Sequence, residues 1–205
     1  MAKEIRVMLI EDDFYARGWM EMLLRRDWGT HVVCGVNNPT QLSIELQSLN
    51  QCHERVDVAL IDTEVPSNRS WLREALASMA KYHPTTPVLY LGVTPNVQIA
   101  RLLGEPNAAG YLLKGEIRCA LPWAVMLASK RRMVLTPGVC DEYCKANPLR
   151  ADALILDGRN PVASLTERET EAARLAFILS MERRNLADEM GISEDYSYGL
   201  VSSLY

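Results

Sequence analysis

Four charged residues sit just past apolar runs, where a sheet presents chemistry at one edge. Asp62 closes Val58-Ala59-Leu60-Ile61, Glu11 and Asp12 follow Val7-Met8-Leu9-Ile10, and Lys114 follows Tyr111-Leu112-Leu113. Carboxylates gathered in one cleft repel one another, so keeping them all ionised calls for a cation among them. A few hard oxygen donors suit a hydrated Mg²⁺. Such an ion would take a carboxylate oxygen from Asp12, another from Asp62, and a backbone carbonyl just beyond, at Glu64. An aspartate is also a competent nucleophile toward phosphorus, forming an acyl phosphate. The metal would neutralise oxygens of an incoming phosphoryl group and the Lys114 ammonium would hold another.

Positioning these groups requires a parallel sheet. The unbroken apolar character of 58–61 predicts a strand covered on both faces, and ligands bind such sheets beyond the carboxyl ends of the strands. Further strands are expected at Ile5–Ile10, His31–Val36, Val88–Val93 and Gly110–Lys114. Between them, apolar residues at three- and four-residue spacing predict helices over Tyr15–Asp27, Thr40–Leu49, Trp71–Tyr82, Asn96–Leu103 and Glu116–Arg131, with Pro122 near the start of the last. Five strands alternating with five helices make an α/β fold, a five-stranded doubly wound parallel sheet.

Length and composition set the outer limits. The chain has 205 residues, 48% hydrophobic and 23% charged, enough for one sizeable core and a small second domain. No run is long and apolar enough to span a bilayer, and the amino-terminal segment lacks the plan of a secretory signal. The five cysteines are an odd, scattered set, which fits neither a disulfide framework nor a zinc site. A cytoplasmic protein with reduced thiols and no membrane partner is expected. The net charge of -4 offers no general attraction to nucleic acid.

Regular structure resumes near the carboxyl end. Thr166-Glu167-Arg168-Glu169 has the pattern of a capping box, followed by an apolar face of Ala172, Leu175, Ala176 and Leu179. A second helix is expected over Glu182–Met190, ended by Gly191, and Ser193 is placed to cap a third.

Together, VMLIEDD, DVALIDTEVP and GYLLKG resemble the receiver domain of two-component response regulators, and LTERE with NLADEMGIS resembles a LuxR/NarL-type helix-turn-helix. The resemblance implies a flavodoxin-like receiver over residues 1–131, a linker over 132–163 and a helix-turn-helix over 164–205. Glu11 and Asp12 would be the metal-binding acidic pair, Asp62 the phosphorylated residue, Lys114 the phosphate-contacting lysine and Tyr111 the aromatic that rotates on activation. A sensor histidine kinase would be the phosphodonor. Counting back from Lys114 puts Gly92 where the family carries a serine or threonine hydroxyl; a shift of two would bring Thr94 there instead. Met133 to Pro137 resembles the segment that follows the last receiver helix, and a short helix is expected over Gly138–Cys144.

The third helix of the helix-turn-helix departs from what DNA requires. Residues 194–205, EDYSYGLVSSLY, contain no Lys, Arg, Asn or Gln. Over 164–205 there are four basic residues against eight acidic, the reverse of a DNA footprint. Tyr196, Ser197 and Tyr198 are the candidates for a DNA-facing surface. The chain ends where the family continues into a fourth helix, so Leu200, Val201 and Leu204 are expected to leave an apolar surface that invites a partner or a second copy. Two readings follow. One is a phosphorylation-controlled regulator of transcription. The other is a weakly phosphorylation-dependent regulator whose helix-turn-helix binds protein. An enzyme, such as a phosphatase, is not expected, because no second general-acid aspartate follows Asp62.

Overall fold

The structure is a computed structural model that describes residues 4–26, 29–64, 69–146, 153–157, 166–173, 175–176 and 181–202. The chain divides into two compact units, Met1–Arg159 and Asn160–Tyr205.

The first unit is built on a parallel sheet of seven strands, ordered β2-β1-β3-β4-β5-β6-β7. The strands are β1 (Ile5–Ile10), β2 (Thr30–Val36), β3 (Val58–Asp62), β4 (Val88–Gly92), β5 (Ala108–Leu113), β6 (Val134–Leu135) and β7 (Leu154–Ile155). Every residue of β3, β4 and β5 is buried, as expected of strands covered on both faces. Helices α1 (Phe14–Arg26), α2 (Pro39–Gln51), α3 (Arg69–Tyr82) and α4 (Val97–Arg101) alternate with β1 to β5. The Asp13 carboxylate caps α1 by accepting from the Ala16 amide at 2.7 Å, and Asn38 caps α2 through the Gln41 amide at 2.8 Å. Met8, Ile10, Leu42, Leu46, Ile61, Tyr90 and Tyr111 belong to the main core.

Several expectations need correction. The helix over 116–131 is broken: α5 (Lys114–Ile117) ends in a 3-10 turn at Arg118–Ala120, and α6 (Leu121–Ser129) starts afresh. Pro122 is the second residue of α6. Its ring would collide with the carbonyl at 118 in a continuous helix, so the proline acts as a helix start. Lys114 opens α5 instead of ending β5.

The sheet also has seven strands where five were expected, because 132–163 is not simply a linker. Its described residues supply β6, α7 (Pro137–Ala146) and β7. β6 pairs with β5 through Gly110↔Val134 and Tyr111↔Leu135. Gly110, at φ 155°, permits this: a β-carbon there would lie 1.9 Å from the Val134 carbonyl oxygen. The Asn-Pro pairs at 147–148 and 160–161, which are turn signals in the sequence, fall outside the described residues.

The second unit holds α8 (Glu167–Ala173), α9 (Arg183–Met190) and α10 (Glu194–Ser202). Both halves of the capping box form: the Glu169 amide donates to Thr166 Oγ1 at 3.3 Å, and the Thr166 amide to Glu169 Oε2 at 2.8 Å. Gly191 ends α9 in the left-handed conformation, and Ser193 Oγ accepts from the Tyr196 amide at 3.2 Å. Leu175, Leu186 and Val201 form the core. Leu200 and Val201 are therefore buried, where an uncovered apolar surface was expected. Leu204 and Leu179 lie outside the described residues.

Candidate functional site

β1 and β3 are neighbours in register, with Ile10 opposite Ile61, so the residues that follow each strand emerge side by side at its carboxyl end. Glu11 and Asp62 are brought together there, only 1% and 3% exposed. Ligand oxygens of Glu11, Asp12 and Asp62 all lie within 4.8 Å of one another. Lys114 reaches the same cleft from the start of α5. Its ammonium donates to Glu11 Oε2 at 2.7 Å and lies 3.1 Å from Asp62 Oδ1.

The electrostatics follow from this crowding. Burial pushes the Glu11 carboxyl up to about 7, against the opposing pull of the Lys114 ammonium and with the Asp62 charge adding to the rise. Lys114 itself is held above its ordinary value: burial works against its charge, but the hydrogen bond to Glu11 and the Asp62 charge outweigh it. Two carboxylates and one ammonium leave the cleft acidic once Asp12 is counted. An array of three carboxylates with oxygens this close fits a small divalent cation.

Glu64 follows Asp62 by two residues and is exposed, its amide 3.4 Å from Asp62 Oδ1 and its carboxylate accepting from the Val93 amide at 2.8 Å. Gly92 ends β4 opposite Leu113 of β5 and is buried, whereas Thr94 is exposed. What Thr94 contributes is its backbone carbonyl, which accepts the Tyr111 hydroxyl at 2.9 Å. Tyr111 is fully buried, and that burial raises its phenol above the ordinary value.

Two residues of this neighbourhood carried no signal in the sequence. Thr63 Oγ1 donates to the Leu91 carbonyl at 2.7 Å, and Thr136 Oγ1 accepts from the Leu113 amide at 3.0 Å. Each is an ordinary threonine in a row of ordinary residues. Only the pairing of β3 with β4, and of β5 with β6, gives its hydroxyl a place.

In the second unit, α10 presents Tyr196 and Tyr198, 49% and 48% exposed, with Glu194 and Asp195 also outward. Ser197 does not join them. It is buried, and its hydroxyl donates to the Glu194 carbonyl at 2.7 Å, because it falls on the face turned toward the core. Arg184 of α9 lies 3.8 Å from the Glu194 carboxylate.

No protein-family model matches the chain, and no curated protein matches it in sequence. Solved structures do match. The chain is 17% identical to the response regulator in a structure of RcsB dimers bound to DNA, with a TM-score of 0.60, over 98% of this chain and 90% of that one. It is 24% identical to the response regulator ChrA of a heme-sensing two-component system, with a TM-score of 0.52, over 98% and 89%. It is 19% identical to a LuxR-family response regulator from Aurantimonas sp. SI85-9A1, with a TM-score of 0.58, over 70% of this chain and 97% of that one. Among the described residues, no helix is long and apolar enough to cross a membrane. At these identities the likeness is one of architecture: the chain has the fold of these response regulators.

Proposed function

We propose that the chain is a two-component response regulator that takes a phosphoryl group onto Asp62 from a sensor histidine kinase and regulates transcription through its LuxR-type helix-turn-helix. Residues 1–131 would act as the receiver and 164–205 as the output domain. The observation that carries the reading is the convergence of Asp62, Glu11 and Lys114, with Lys114 Nζ 3.1 Å from Asp62 Oδ1 and 2.7 Å from Glu11 Oε2. The solved structure of similar architecture with RcsB on DNA supports the output half.

In this mechanism an Asp62 oxygen forms a bond to phosphorus as the bond to the donor nitrogen breaks, and the imidazole of the donor histidine leaves. Glu11, Asp12, Asp62 and the Glu64 carbonyl would hold Mg²⁺, which when bound supplies charge neutralisation for the phosphoryl oxygens. Lys114 exchanges its contact with Asp62 for one with a phosphoryl oxygen. It thereby orients the group and stabilises the charge that builds on it. Burial of Asp62 and Glu11 keeps bulk water from the carboxylates.

The test is labelling of the protein by a small acyl-phosphate donor with Mg²⁺, expected for the wild type and lost in Asp62→Asn. Persistent labelling of Asp62→Asn would refute the site. A second reading has its own observation. The outward residues of α10 include Glu194, Asp195 and two tyrosines, a surface suited to a protein contact more than to phosphate. In that case the helix-turn-helix would bind a partner or a second copy, and phosphorylation would matter less.

A further inference from the structure

The Tyr111 hydroxyl fills space that any residue other than glycine at position 92 would claim. A β-carbon on Gly92 would lie 2.7 Å from that hydroxyl oxygen, 3.1 Å from Tyr111 Cε2 and 3.0 Å from Thr63 Oγ1. The first separation is far inside van der Waals contact, so the ring and a side chain at 92 exclude each other. Two threonines border the seat. Tyr111 donates to the Thr94 carbonyl at 2.9 Å, and the Thr63 hydroxyl, which donates to the Leu91 carbonyl, borders the same space beside Gly92.

The two threonines link the seat to both ends of a signalling path. Thr63 directly follows Asp62. Thr94 lies between Val93 and Val97, both exposed and the latter the first residue of α4. Where a side chain and a ring compete for one space, a group bound nearby can favour either occupant, and the equilibrium responds to it. A bound group shifts an equilibrium only by its differential affinity for the two states. With glycine at 92 there is no competitor.

We propose that Gly92 makes the inward seat of Tyr111 permanent, so that the ring and the Thr94–Val97 surface tied to it hold one form whether or not Asp62 carries a phosphoryl group. The proposal rests on the reading of Asp62 as phosphoacceptor. It adds that this chain's output surface is preset by its own packing, with Gly92, Thr63 and Thr94 as the residues that set it.

The test uses the full chain labelled with 3-fluorotyrosine, with the Tyr111 resonance assigned by its loss in Tyr111→Phe. Beryllofluoride with Mg²⁺ serves as the phosphoryl probe, and its bound fluorine signal reports the Asp62 site separately. In the wild type the Tyr111 resonance should stay in place when the bound probe signal appears. In Gly92→Ser, and in Gly92→Ala with only the β-carbon added, the resonance should move toward the solvent-exposed position before any probe is added. A Tyr111 shift in the wild type on probe binding would overturn the proposal, as would an unmoved ring in both folded variants. Failure to see bound probe, or its survival in Asp62→Asn, would instead refute the phosphoacceptor reading. The ring position in the variants without probe would still decide this one.

Discussion

Lys114 Nζ lies 3.1 Å from Asp62 Oδ1 while donating to Glu11 Oε2 at 2.7 Å, so one ammonium offsets two carboxylates that are almost wholly buried. Asp12, more open to solvent, is the acid of the cluster with no ion pair to Lys114 among those described.

Removing that cation should destabilise the first unit, because it leaves two buried carboxylates facing each other. Lys114→Gln is expected to lose about 2 kcal/mol of unfolding free energy in metal-free buffer, less than for a fully buried pair because Lys114 is partly exposed. Mg²⁺ should restore more stability to this variant than to the wild type, since it replaces the missing charge. Urea denaturation with and without the ion measures both, and an equal Mg²⁺ effect on the two proteins would contradict the shared role.

His83 provides a pH dependence of opposite origin. Burial lowers its pKa below the ordinary 6.5, so the unfolded chain binds a proton there more readily than the folded one. Its share of the stability is present above the unfolded value and falls away as the pH drops through it toward the lower folded value. Denaturation between about pH 5 and 8 should show the wild type losing stability on the acid side relative to His83→Gln. Parallel curves for the two proteins would remove His83 as the cause.

Gly110 should be intolerant of any side chain. A β-carbon there meets the Val134 carbonyl at 1.9 Å with φ at 155°, so Gly110→Ala must strain the backbone or break the pairing of β5 with β6. A loss of roughly 2–3 kcal/mol is expected, with faster amide exchange at residues 134–136 as its local signature. Unchanged exchange there would show that β6 is held by something other than this close approach.

Acting as the proposed output domain, the second unit should bind DNA with an unusually shallow salt dependence. With four basic residues in 164–205, each worth about -0.9, and Glu194 and Asp195 at the start of α10, the slope of log K against log salt should be no steeper than about -3.6 per chain. Measured on the DNA upstream of its own gene, a steep slope would mean that cations elsewhere in the chain take part. No binding, together with partner capture through Tyr196 or Tyr198, would favour the protein-contact reading.

What the sequence determined by itself was local in origin. Apolar runs marked β1 to β5, three- and four-residue spacing marked the helices between them, and Thr166 with Glu169 announced α8, because each signal rests on residues within one or two turns of each other. The carboxylates and the lysine were legible for the same reason, as charges placed just past apolar runs. Tertiary structure alone decided that β5 is an inner strand flanked by β6, that Leu200 and Val201 are covered, and that Ser197 faces inward. It also decided that Tyr111 fills the space above Gly92, a contact between residues 19 positions apart on neighbouring strands. Such relationships depend on register and close packing across the sheet, and no stretch of sequence contains both partners.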